Sequence, residues 1–267
     1  MKKIHAAPVS VVIPCFCCAA TIGRAVASVA QQAVRPAEVI LVDDASGDGT
    51  LAVLQELARQ HGGWIKVLSL EKNLGAASAR NAGWSMAMQP YIAFLDADDS
   101  WHPDKLCIQF EYMQKHSEVV LCGHQCIWLR DGDRLPVPAK EPRATAIRAG
   151  SLLCKNAFST PTVLLQRDIP FRFKEGRRYA EDLLLWQEIA FAGLQVMRLE
   201  SPLAYVHKPI YGAGGLSSRL WEMEKGELGN FTLLYRAGYV GHFRYAAAAF
   251  LSVIKFLKRL LLAKMQG

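Results

Sequence analysis

The sequence predicts an α/β protein with a mostly parallel central sheet, helices on both faces of it, and an appended C-terminal amphipathic helical segment. Three observations carry this reading. Over the first 100 residues, short aliphatic runs alternate four times with stretches of helical periodicity, an order that lays strands side by side in parallel. The runs are apolar throughout rather than alternating, as strands covered on both faces are. Each is followed by a polar cluster, and ligands of such sheets bind beyond the carboxyl ends of the strands.

The first strand is Val9 to Ile13, and Pro14, which has no amide hydrogen for a ladder, is expected to end it. Thr21 is the expected N-cap of a helix carrying Ile22, Val26, Val29 and Ala30 on one face, stopped before Arg35-Pro36. Glu38 to Val42 is the second strand. It ends in Asp43-Asp44-Ala45-Ser46-Gly47-Asp48-Gly49-Thr50, after which Leu51, Leu54, Leu57 and Ala58 recur at helical spacing. Trp64 to Leu70 is the third strand, Asn73-Leu74-Gly75 a turn, and Ala76 to Met88 a helix that contains Arg80. Tyr91 to Leu95 is the fourth strand, and it stops abruptly at Asp96-Ala97-Asp98-Asp99.

Beyond residue 100 the alternation lapses. Pro103 to His116 reads as a helix and Glu118 to Arg130 as a long strand. Asp131-Gly132-Asp133 reads as a hairpin turn into a proline-rich edge segment, Leu135 to Pro142. Ala149 to Asn156 is expected to be helical, Thr162 to Gln166 a strand and Ala180 to Phe191 an amphipathic helix. Gln195 to Leu199 and Leu203 to His207 look like two short strands, and Tyr211 to Gly215 a flexible loop. From Phe231 onward every charge is basic. Phe250, Val253, Ile254, Leu257, Leu260 and Leu261 fall on one helical face, with Ser252, Lys255, Lys258 and Arg259 on another. That pattern suits a helix on an anionic bilayer surface through 241–264, the alternative being a helix docked on its own domain. The expected division is a catalytic domain over 1–225, with a nucleotide-binding half (1–100) and an acceptor half (101–225), then basic amphipathic helices over 226–267.

Composition narrows the partners. Half the residues are apolar (51%) and 21% are charged, the balance of a folded chain rather than a disordered one. The net charge of +7 favours an anionic partner: a nucleotide, a phospholipid surface or nucleic acid. Nucleic acid ranks last, because the basic residues cluster with aliphatic rather than stacking side chains. The seven cysteines are odd in number and sit mostly inside apolar runs, which reads as reduced core residues of a cytoplasmic protein. Cys122, His124 and Cys126 share one strand face, which admits zinc, yet no second Cys/His pair stands at finger-like spacing. Met1-Lys2-Lys3 and the apolar run after it imitate a secretory signal, but Pro14 interrupts the run. Lys255, Lys258 and Arg259 break the longest apolar stretch, so none approaches the roughly 20 residues of a membrane span. The expected location is cytoplasmic, peripheral on the inner face of the cytoplasmic membrane where the tail engages it.

Carboxylates crowded at a strand end repel one another, and a divalent cation held by oxygen ligands relieves them. The competing role for the acidic run is to cap the next helix through Asp99 or Ser100. The loop after the first strand lacks Gly-x-Gly-x-x-Gly, and Gly-x-x-x-x-Gly-Lys-Ser/Thr is absent, so a bound phosphate is not held by a glycine cradle. A metal bridging acids to a diphosphate is the remaining route.

Val11-Val12-Ile13-Pro14-Cys15-Phe16, Ile40 to Thr50, Asn73 to Gly83, Phe94-Leu95-Asp96-Ala97-Asp98-Asp99 and Glu181-Asp182-Leu183 together resemble the family 2 glycosyltransferases. The resemblance is dense over 8–100, good around 158–192 and weak beyond about 208. It implies a GT-A fold and transfer of a sugar from a nucleotide diphosphate with inversion at the anomeric carbon. By that resemblance Pro14 and Phe16 line the nucleoside pocket, and Asp43 or Asp44 contacts base and ribose. Asn73, Gly75 and Arg80 border the donor, Arg80 being equally suited to pair with an acid. Asp96-Ala97-Asp98 is the metal motif for Mn²⁺ or Mg²⁺, with Asp98 the direct ligand and Asp96 supporting it or binding ribose. Asp182 stands where the family places its catalytic base, at a helix start. Trp186 faces the acceptor or the core. His207, in Tyr205-Val206-His207, is either a metal ligand or an ordinary histidine, and Ser217 and Ser218 belong to a lid.

The implied donor is a nucleotide-diphosphate sugar, a UDP-sugar being favoured, and the acceptor a saccharide or lipid-linked saccharide in cell-envelope or polysaccharide synthesis. Two other functions compete. A metal-dependent nucleotidyltransferase uses a similar carboxylate pair but opens with a glycine-rich loop and a basic residue, which Pro14 to Cys18 lacks. A membrane-associated scaffold of the same fold could have lost catalysis.

Overall fold

Strand β1 (Ala6–Cys15) lies inside a nine-stranded sheet, with β2 (Arg35–Asp43) and then β3 (Ile65–Ser69) on one side and β4 (Tyr91–Phe94) on the other, all parallel. The computed structural model describes residues 6–130, 132–207 and 219–265. The loop expected at Tyr211 to Gly215, the serines Ser217 and Ser218, and Asp131 of the expected turn lie outside those residues. Past β4 the order continues through β8 (Leu164–Gln166), β6 (Val119–Trp128), β9 (Gln195–Val206) and β5 (Ser100–Trp101), with β7 (Ala144–Ala146) also on β9. The pairings set β8, β5 and β7 antiparallel to their neighbours and the other six strands in one direction, so the sheet is mostly parallel.

Alternation along the strands builds two apolar layers. Val9, Val11 and Ile13 point to one face, where Ile22, Val26 and Val29 of α1 (Ile22–Ala30), Leu54 of α2 (Thr50–Gln60) and Leu106 and Phe110 of α4 (Lys105–Lys115) cover them. Val12, Ile40 and Val42 point to the other. There they meet Ala77 and Trp84 of α3 (Ala76–Met86) and Leu185, Trp186 and Ile189 of α5 (Glu181–Phe191). Each such fully buried side chain contributes about 1.5–3 kcal/mol. Helix α3 comes so close that a Cβ on Gly83 would lie 2.5 Å from Val12 Cγ1. Helices α6 (Leu220–Arg236) and α7 (His242–Met265) form a third cluster, packing Phe231, Leu234 and Ala248 against Leu184 and Leu153. Among the described residues, no helix is long and apolar enough to cross a membrane.

Several expectations need correcting. Pro14 does not end β1; the strand runs on to Cys15, whose carbonyl accepts the Asp44 amide at 2.8 Å, so the missing proline donor is not required there. Thr21 does precede α1, but its hydroxyl donates to the Cys18 carbonyl (3.3 Å) rather than capping the helix. Neither Asp99 nor Ser100 caps α4, because Ser100–Trp101 pairs with Tyr205 and Ala204 and the helix begins at Lys105. Leu135 to Pro142 forms no strand, prolines being poor ladder donors, and the edge is Ala144–Ala146 instead. The two short strands expected around Pro202 are one, β9, which absorbs the proline through register shifts opposite Gln125. The helix expected over Ala149 to Asn156 is a shorter 3-10 turn, Ala149–Leu153.

Candidate active site

The polar strand ends meet at one rim. A cleft of about 830 Å³ opens there, lined by Pro14 near the end of β1 and Phe16 after it, Asp44 after β2, Asp96 and Asp98 after β4, Arg80 of α3 and Asp182 of α5. The loops after β1 and β2 are knitted together: the Cys17 amide donates to Ser46 Oγ (3.0 Å) and the Cys18 amide to Thr50 Oγ1 (2.9 Å). Phe16 is left 53% exposed at the lip, a ring face open to a planar ligand.

Asp44 is buried and clamped. Its two carboxylate oxygens accept the amides of Leu74 and Gly75, each at 2.8 Å, and its carbonyl accepts Asn73 Nδ2 at 3.3 Å. Gly75 has φ +87, a left-handed conformation that the tight approach of this loop requires. Asn73 and Gly75 therefore act on the site by fixing Asp44. Asp43 is likewise buried and accepts the Ser46 amide (3.4 Å) and Ser69 Oγ (3.5 Å).

Arg80 joins the two halves of the cleft. Its guanidinium, 5% exposed, donates to Asp96 Oδ1 at 2.8 Å and to Glu181 Oε1 at 2.9 Å. Burial alone would lower its pKa, but Asp96 and Glu181 hold it above the usual arginine value. Asp96 thus spends one oxygen on Arg80. Asp98 lines the cleft one residue beyond Ala97, with Arg24 Nη2 donating to its backbone carbonyl at 2.7 Å.

Asp182 is the second residue of α5, just after Ala180 turns the chain at φ +55 and Asn230 of α6 donates to the Ala180 carbonyl (2.8 Å). One Asp182 oxygen accepts the Leu183 amide (2.7 Å), and the other faces Asn156 Nδ2 (3.4 Å) and Thr160 Oγ1 (3.5 Å). Burial, and after it the neighbouring Glu181 carboxylate, pushes its pKa up to about 6. A carboxyl tuned to that value is suited to proton transfer near neutrality.

His207 stands beside the acidic turn, its Nε2 at 2.7 Å from Ser100 Oγ. Trp186 is a core residue, fully buried against Phe173. Cys122 and His124 are buried in β6, and among the described residues no three His, Cys, Asp or Glu side chains converge on a metal position. At the rim, a hard cation would therefore take carboxylate oxygens from Asp98 and Asp96 and complete its shell from a diphosphate and water, the usual habit of Mg²⁺. The oxygen donors present fit such an ion. Arg178, Tyr179, Asn156 and Thr160 also border or support the site. Thr160 begins a short 3-10 turn and the others stand outside helices and strands; the closeness of 178–179 to Glu181-Asp182 was the signal for Arg178 and Tyr179, and no local pattern marked Asn156 or Thr160.

A family model described as Glycosyl transferase family 2 matches residues 10–170. The amylovoran biosynthesis glycosyltransferase AmsB of Erwinia amylovora is 28% identical over 235 residues, 85% of this chain and 75% of that protein. The Escherichia coli UDP-Glc:alpha-D-GlcNAc-diphosphoundecaprenol beta-1,3-glucosyltransferase WfgD is 30% identical over 181 residues, 68% of this chain and 69% of that one. Among solved structures, the mannosyltransferase PcManGT from Pyrobaculum calidifontis, in complex with GDP-Man and Mn²⁺, shares the fold at a TM-score of 0.64 and 16% identity, over 98% of this chain and 76% of that one. The sheet order, the rim of strand-end acids and a family match over more than half the chain lead to one conclusion: this chain belongs to glycosyl transferase family 2, is built on the GT-A fold and is a glycosyltransferase.

Proposed function

We propose that this chain is an inverting, metal-dependent glycosyltransferase. It moves a sugar from a nucleotide-diphosphate sugar, with UDP favoured, to a hydroxyl of a saccharide or lipid-linked saccharide in cell-envelope polysaccharide synthesis. The observation that carries the reading is the Arg80 bridge, which locks the Asp96 end of β4 to the Glu181-Asp182 start of α5 across one cleft. The WfgD relative, named for a UDP-Glc donor and a diphosphoundecaprenol acceptor, supports the donor and acceptor classes.

In this reading Phe16 and Pro14 receive the nucleoside, and Asp44, set by the 73–75 loop, orients base and ribose, with Asp43 behind it. Asp98 and Asp96, with His207 beside them, would hold a Mn²⁺ or Mg²⁺ ion, which would supply charge neutralisation for the diphosphate. Asp182 removes the proton from the acceptor hydroxyl. The acceptor oxygen bonds to the anomeric carbon as the bond from that carbon to the diphosphate breaks, and the bonding electrons leave with the nucleotide. A single in-line displacement inverts the centre, and Asp182 is held for it by the Leu183 amide and Asn156.

The C-terminal helix supplies the location. Ser252 donates to Glu227 (3.1 Å) and Arg259 to Glu224 (3.2 Å), so α7 docks through its polar face and leaves Phe250, Ile254, Leu257 and Leu261 exposed. Arg244 and Lys258 on the same helix and Arg236 at the end of α6 are exposed as well, and this combination fits an anionic bilayer, in keeping with a peripheral enzyme on the inner face of the membrane. Asp182→Asn tests the chemistry. Transfer from the nucleotide sugar should fall about 10²–10⁴-fold with nucleotide binding preserved, and turnover retained at the wild-type rate would reject the assignment.

A further inference from the structure

A second cavity, of about 470 Å³, lies between α7, the start of α5 and the segment that follows the 3-10 turn. Lys155, Lys255, Lys258 and Arg259 line it, against Glu227 as the one acid among the described residues of its wall. Glu224 behind Arg259 brings the acids to two, still outnumbered by four cations. Glu224 (3.2 Å) and Glu227 (3.8 Å) fix the Arg259 guanidinium, while its buried Nε has no hydrogen-bond partner among the described residues. Lys255 is braced on the Cys154 carbonyl, and Lys155 and Lys258 are exposed. A concave site with an excess of cations, two of them held in place, concentrates anions, and lysine and arginine both bind phosphate well.

Position gives the cavity a role. Asn156 lines it and also reaches Asp182 Oδ2, so its wall touches the proposed base. The helix that supplies three of its cations turns an apolar face outward. A lipid carrier bearing a sugar on a diphosphate has the same sequence of parts: hydrocarbon, then phosphate, then hydroxyls one sugar ring away.

We infer that this cavity is an acceptor subsite that binds the diphosphate of a lipid-linked saccharide and so presents its first sugar to Asp182. The inference rests on the proposed transfer to a lipid-linked acceptor and adds the residues that would recognise it. The test is cosedimentation of the full chain with phosphatidylcholine vesicles doped either with a polyprenyl diphosphate or with phosphatidylglycerol at equal charge. The wild type should prefer the diphosphate vesicles, and Lys155→Gln with Lys258→Gln should reduce that preference about tenfold or more, since hydrogen bonds to charged groups are lost. Glu227→Gln, which removes the acid from the wall, should raise it. UDP binding should be unchanged in both variants. Equal wild-type binding to the two vesicle types would make this a general headgroup site and overturn the proposal, as would a preference that survives the double substitution or does not rise with Glu227→Gln. UDP-sugar hydrolysis by the same wild-type sample separates the two levels: hydrolysis without the lipid preference sinks the subsite alone, and loss of both sinks the glycosyl-transfer reading as well.

Discussion

The two sides of the cleft hold their carboxylates by different means. On the 6–100 side, acids stand at the ends of parallel strands, and the buried Asp44 is fixed by main chain, the Leu74 and Gly75 amides. On the 101–265 side, Asp182 keeps one main-chain bond, from the adjacent Leu183 amide, and otherwise meets side chains: Asn156 and Thr160 before it, with Asn230 after it holding the Ala180 carbonyl. The first side is set by strand register, which a packed sheet enforces everywhere at once. The second is a convergence of loops onto one helix start, and each contact can be lost singly. Arg80 is bonded to acids on both sides.

That contrast can be broken most sharply at Arg80. Replacing it with Met leaves Glu181 buried without its cation and should cost about 3 kcal/mol, measurable as a lowered midpoint in urea. A loss confined to activity, with the midpoint unchanged, would mean that the bridge does not tie the halves together. A milder break lies wholly on the strand side. Gly83→Ala drives a Cβ into Val12 and should cost about 1–3 kcal/mol, whereas Gly23→Ala, on α1 with open space around it, should stabilise by about 0.5–1 kcal/mol. Equal effects in thermal denaturation would contradict the close helix-sheet approach. The smallest and most specific break is on the loop side. The base must be ionised to accept a proton, so kcat/KM should fall as pH drops through about 6. Glu181→Gln removes a neighbouring anion that helps raise this pKa, and should move the falling limb to lower pH. A limb that stays in place would assign the titration to another group.

The same contrast explains what was legible in the sequence. Strands β1 to β4 could be read because a doubly covered strand is an uninterrupted apolar run and its end is marked by polar residues. β5 and β7 could not, since two or three residues become strand only by pairing with β9, a fact recorded nowhere in their own composition. Of the site, Asp96 and Asp98 announced themselves by crowding, while Asp182 depended on the family resemblance. Asn156, outside any helix or strand, and Thr160, at the start of a three-residue 3-10 turn, had no pattern to mark them. The amphipathicity of α7 was readable, but which face turns inward is decided by Glu224 and Glu227 on α6, which capture Arg259 and Ser252.

The central claim is that the strand-end acids hold a nucleotide through a cation while Asp182 serves only the chemistry. Calorimetric titration of UDP into the wild type, Asp98→Ala and Asp182→Asn, each with and without Mn²⁺, tests it directly. The account predicts that Mn²⁺ strengthens binding to the wild type and to Asp182→Asn and has no such effect on Asp98→Ala. Binding indifferent to Mn²⁺ in the wild type, or Mn²⁺ enhancement that persists in Asp98→Ala, would contradict it.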